Sequence, residues 1–133
     1  MPKFKFKVMD KAISLRKKVT RVLGRKNKYG AIPTTVDGIR FHSKKEAEYY
    51  QKLKLMQNHG HFTYFLRQVP YPLPGKIKYY ADFVTFRKLS VSSDLNTNEY
   101  EIRVYDVKGK DTRVSINKRK QVEEIYNLKI EIV

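Results

Sequence analysis

The chain is 133 residues long, with 29 Lys and Arg against 13 Asp and Glu, a formal charge of +16 and an isoelectric point near 10.0. That length bounds it to one modest core, and the lack of cysteine excludes disulfides and thiolate metal sites, as fits a reducing cytoplasm. No apolar run approaches the ~20 residues of a membrane helix, Met1 to Lys7 lacks the apolar stretch of a secretory signal, and so positive a field makes nucleic acid the expected partner.

The charge is uneven. Residues 1–30 hold eleven of the basic residues against Asp10 alone, so residues 1–35 read as a basic arm. Within it Asp10 is placed to cap a short helix ending at Gly24, with Ala12, Leu15, Val19 and Val22 at helical spacing and Arg16, Lys17, Lys18 and Arg21 around them. Such a helix grips DNA or docks on its own domain. Residues 25–35, with Arg25, Lys26 and Lys28, read as a linker that lies along phosphates.

Ser43-Lys44-Lys45-Glu46 then fits a capping box, in which Ser43 accepts from the first-turn amides and Glu46 reaches back, and opens a helix to about Asn58. Its apolar stripe is Ala47, Tyr50, Leu53 and Met56. Glu46 borders that stripe, as a cap residue or a site acid, while Glu48 lies between Lys44 and Lys52 in solvent. A strand from His61 to Val69 is expected to break at Pro70 to Gly75, and strands Ile77–Phe86 and Tyr100–Lys108 follow on either side of a polar loop. A helix from about Ser115 to Asn127 presents Val122, Ile125 and Tyr126 on one face, and the alternating Leu128 to Ile132 reads as a closing strand. The order α-β-β-β-α-β predicts an α/β fold, a mixed sheet flanked by helices, with parallel pairing across the last strand–helix–strand unit.

Two of these strands turn a carboxylate toward an apolar face. Side chains alternate along a strand, so Asp106 and Lys108 share a side with Ile102 and Val104, and Asp82 shares one with Tyr80, Val84 and Phe86. Neighbouring buried carboxylates repel unless compensated. A hard divalent cation such as Mg2+, bound by oxygens at ~2.0–2.1 Å, removes the conflict. It also polarises a phosphoryl oxygen and activates a bound water, which a nearby lysine can orient. That is the chemistry of phosphodiester hydrolysis. The alternative for Asp106 and Lys108 is an ordinary ion pair at a strand end.

The order Glu46, Asp82, Asp106-Val107-Lys108 on this succession of elements resembles the PD-(D/E)xK nuclease superfamily, with its restriction-endonuclease-like core. Within it the chain resembles phage Holliday-junction resolvases of the endonuclease I type and small phage-encoded homologues. The likeness rests on Phe41 to Glu46, Val69-Pro70-Tyr71, Tyr80-Ala81-Asp82-Phe83 and Asp106-Val107-Lys108-Gly109, and covers residues 36–133. It implies that Asp82, Asp106 and the Val107 carbonyl bind metal, that Lys108 orients water or stabilises charge, and that Glu46 serves a second metal or its water shell. It also implies Mg2+, with Mn2+ able to substitute, a homodimer, branched DNA as substrate, and the host cytoplasm as location. Ala81 stands where the motif's name has proline, and Asp106 where it has the longer Glu.

Lys44, Lys110, Arg113, Lys118, Arg119 and Lys120 surround these acids in sequence and suit phosphate positioning, with a solvated face as the alternative for any one of them. His59 and His61 straddle Gly60 and read as loop residues, and no glycine-rich loop supports a nucleotide cofactor. Gln121 and Tyr126 lie on the last helix, facing the site or packing on the sheet. The function expected is therefore a metal-dependent DNA endonuclease, most readily a junction resolvase. The alternatives are another structure-selective or nicking nuclease, and a non-enzymatic basic nucleic-acid-binding protein.

Overall fold

The structure, a computed structural model, describes residues 30–89 and 99–133. The helix expected between Asp10 and Gly24, with Arg16, Lys17, Lys18, Arg21, Arg25, Lys26 and Lys28, lies outside the described residues. The chain divides into two units, Met1–Ile32 and Pro33–Val133, and every element below belongs to the second.

Strands β1 (Thr34–Val36) and β2 (Ile39–Phe41) form an antiparallel hairpin that replaces the end of the expected linker. Its two-residue turn is Asp37-Gly38, both at positive φ (53° and 74°), the backbone that matches the twist of paired strands and that Asp-Gly supplies at least cost. Helix α1 (Lys44–Asn58) begins at Ser43, whose hydroxyl accepts from the Glu46 N–H at 3.1 Å. Glu46 does not close a full capping box, because its Oε2 accepts instead from the N–H of His42, one residue before the cap, at 3.3 Å. The predicted stripe of Ala47, Tyr50 and Leu53 is buried, with Met56 against it, and Gly60 at φ 76° ends the helix.

Strand β3 (Tyr64–Leu73) pairs with β4 (Ile77–Lys88), β4 with β5 (Tyr100–Asp106), and both pairings are antiparallel. Helix α2 (Arg113–Tyr126) leads to β6 (Ile130–Ile132), which runs parallel to β5 as the strand–helix–strand rule predicts. The four-stranded sheet is thus mixed, ordered β3-β4-β5-β6, and accompanied by two helices. Pro70 and Pro72 do not break β3. It is an edge strand, where a residue without an N–H costs no ladder bond on its outer side. Helix α2 starts two residues earlier than expected because Thr112 caps it, accepting from the Ser115 N–H at 3.2 Å.

Two apolar clusters form the core. One joins α1 to Phe41, Phe62, Phe83 and Tyr105; the other joins Val122 of α2 to Leu73, Tyr79, Ala81, Val84, Val104 and Ile130. Successive residues Val104 and Tyr105 go one to each, as the two faces of a strand require. Of the predicted α2 face, Val122 is buried while Ile125 and Tyr126 are exposed. Among the described residues no helix is long and apolar enough to cross a membrane.

Candidate active site

Alternation along the sheet is interrupted where β3 and β4 face each other at Gln68 and Asp82. On β4, Tyr79 and Ala81 join the α2 cluster, Phe83 joins the α1 cluster, and Val84 and Phe86 return to the first. On β3, Phe65 joins the α1 cluster and Val69 the α2 cluster, although regular alternation sends both to one side. Gln68 stands at this switch with φ 49°, a left-handed backbone that a non-glycine residue adopts only under constraint. The expectation that Asp82 shares a face with Tyr80, Val84 and Phe86 is therefore overturned: Tyr80 is 51% exposed and Val84 2%. Ile102 likewise does not continue the buried face of Val104 and Asp106, being 55% exposed.

The irregularity brings Asp82 to the end of β5. Its Oδ2 accepts from the Val107 N–H at 2.8 Å and its Oδ1 from the Gln68 amide at 3.0 Å. Burial pushes this carboxyl up to about 7; the neighbouring Asp106 carboxyl and, more weakly, Glu46 add to the rise, and the Val107 N–H opposes it. Asp106 is 1% exposed. Its Oδ2 accepts from the buried Tyr79 hydroxyl, while Oδ1 lies 3.2 Å from the Lys108 ammonium but receives no aligned hydrogen bond. Burial first, and then the bond to Asp106, push the Tyr79 hydroxyl well above the usual phenol range.

Glu46, 6% exposed, enters from α1, and its Oε1 accepts from the same Gln68 amide nitrogen at 3.1 Å. The Lys108 backbone is pinned by an N–H bond to the Val133 carbonyl at 3.2 Å and by the Lys45 ammonium, which donates to the Lys108 carbonyl at 2.7 Å. Glu46, Asp82, Asp106 and Lys108 thus belong to one connected cluster. Gln68, Tyr79 and Lys45 complete it and were not singled out from sequence. Glu48 is exposed beside Lys44, as its position on the helix predicts.

The basic residues separate. Lys110, Arg113, Lys120 and Lys44 are exposed and Lys118 is half-buried. Arg119 is not a surface residue: its side chain is 14% exposed and its Nη2 donates to Asp111 at 2.8 Å, which holds the Asp111 carboxyl below its ordinary range. Tyr126 donates to the Pro72 carbonyl at 2.8 Å and meets Tyr71 edge-on, so it packs on the sheet, and Gln121 is exposed. His59 closes the helix end, its Nδ1 donating to the Leu55 carbonyl at 2.7 Å.

Among the described residues no group of three or more His, Cys, Asp or Glu forms a metal cage. Mg2+, however, commonly takes one or two carboxylates and keeps its waters. A hard-oxygen pair, Asp82 and Asp106, with the buried Asp106 Oδ1 lacking an aligned donor, fits that mode.

Fold and cluster together define a small mixed α/β domain carrying a buried acidic cluster where the middle of β4 meets the end of β5. The chain belongs to the family described as Protein of unknown function (DUF1064), whose model matches residues 26–133. No curated protein and no solved structure matches it.

Proposed function

We propose that this protein is a metal-dependent DNA endonuclease with a restriction-endonuclease-like core, cleaving branched DNA as a four-way-junction resolvase. The reading rests above all on Asp106, a buried carboxylate with one oxygen lacking an aligned donor, close enough to Asp82 to raise its pKa and beside Lys108. Bound there, Mg2+ or Mn2+ would supply Lewis-acid activation of the phosphodiester and of its attacking water. The chain's own residues do the positioning. Asp82 is fixed by the Val107 N–H, Asp106 by Tyr79, and the Lys108 backbone by two bonds, with its ammonium at Asp106. Exposed Lys110, Arg113 and Lys120 lie close in sequence to the site and suit the flanking phosphates. A homodimer follows from the task, since two symmetric cuts require two sites.

One observation favours the non-enzymatic alternative: Tyr79 and Lys108 already compensate Asp106, as a structural ion pair would. Labelled four-way junctions, linear duplex and single strands incubated with Mg2+ or EDTA separate the readings. Paired, metal-dependent cuts on the junction that disappear in Asp106→Ala are expected. Tight binding without cleavage under any metal sinks the nuclease; cleavage of flaps or nicks in preference to junctions keeps the nuclease and removes the resolvase.

A further inference from the structure

Gln68 is the residue that the proposed chemistry leaves unused and the geometry singles out. Its Nε2 is 3.1 Å from Glu46 Oε1 and 3.0 Å from Asp82 Oδ1, so the two hydrogens of one amide nitrogen tie an acid of α1 to an acid of β4. These carboxylates come from separate elements and make no direct bond to each other among the described residues. The bridge is held in place by a backbone at φ 49°, and it sits at the rung where both strands exchange faces. An ordinary strand residue there would send its side chain along the regular alternation; the left-handed turn of the backbone aims this one between the acids.

We propose that Gln68 is the positioning residue of the carboxylate site, setting the separation of Glu46 and Asp82 so that both address a single divalent cation or its water shell. The inference rests on the nuclease reading. An amide suits the task better than a charged group. Without the cation it donates to both carboxylates, and rotation of the amide by half a turn offers Oε1 to the cation or to one of its waters. A lysine would neutralise the acids and compete with the metal; a glutamate would add a further repelling charge.

Gln68→Gly tests this directly, because glycine accepts positive φ and removes the bridge without straining the strand. Mg2+ titrated into the metal-free full chain by calorimetry should bind about ten- to a hundred-fold more weakly than to wild type, the range for groups that orient ligands without binding metal. Thermal unfolding in EDTA should show the variant folded. The Gln68 side-chain amide resonances of wild type should shift on Mg2+ addition, as they must if the cation reaches the carboxylates the amide bridges. Gln68→Asn, which tolerates the same backbone but has a shorter reach, should fail to restore affinity. Wild-type Mg2+ affinity in folded Gln68→Gly overturns the inference and leaves the nuclease reading standing; no Mg2+ uptake by wild type overturns both.

Discussion

Asp82 carries the site's sharpest electrostatic signature. Its carboxyl is raised from 3.8 to about 7 in the folded protein, so between those values the unfolded chain releases a proton that the folded chain retains. Below the lower value both states are protonated and the group contributes nothing. As pH rises through the interval the metal-free fold loses stability, and above it the loss is complete. Urea midpoints in EDTA should therefore be higher at pH 5 than at pH 8, and Asp82→Asn should remove much of that difference; a rising midpoint would contradict the burial argument. At this scale the sequence displays the acids and hides their holders. Asp82, Asp106 and Lys108 are legible because charge in an apolar strand is conspicuous, and Glu46 because it borders the apolar stripe of its helix. Gln68 was not, since Leu66-Arg67-Gln68-Val69 reads as plain strand and only the backbone angle aims the amide inward. Tyr79 was hidden in an aromatic alternation that signals core, and its hydroxyl acquires a role only once β5 is beside it.

At the scale of elements, periodicity located both helices and all four sheet strands among the described residues, because amphipathic period is a local property. What it missed depended on neighbours. Pro70 and Pro72 are compatible with a strand only at a sheet edge, and edge position is decided by pairing, not by the run itself. The β1–β2 hairpin is a different case, since Asp37-Gly38 between apolar residues is a recognisable turn signal that a basic, loop-like context obscured. Gly38 gives a clean test. A Cβ there meets nothing within 4 Å, so Gly38→Ala incurs only the cost of positive φ for an L-residue, about 1–2 kcal/mol. Urea denaturation should register that loss; an unchanged midpoint would show that the hairpin contributes little to the cooperative unit. Because α1 packs on Phe41 at the end of this hairpin, the turn also helps set where Glu46 enters the site.

For the molecule as a whole, the excess of 29 basic over 13 acidic residues should dominate affinity for DNA, whatever the chemistry at the acids. Each phosphate contact contributes about 0.9 to the slope of log K against log salt on duplex DNA. Replacing Lys110, Arg113 and Lys120 with alanine should reduce that slope by up to about 2.7, as fluorescence anisotropy across a salt series would reveal. An unchanged slope would place all three outside the bound phosphates. The family match beginning at residue 26 reaches into the basic segment, beyond the residue 36 at which the nuclease resemblance starts.

The prolines of β3 have one more effect. Main-chain donors of residues two apart leave a strand on the same side, so Pro70 and Pro72 remove two successive donors from one rim of the sheet. A newly synthesised copy, or a misfolded one, that tried to stack edge to edge there would find two ladder donors missing over Pro70 to Pro72. A protein so rich in β-branched and aromatic strands is in this way guarded against fibril growth at that border.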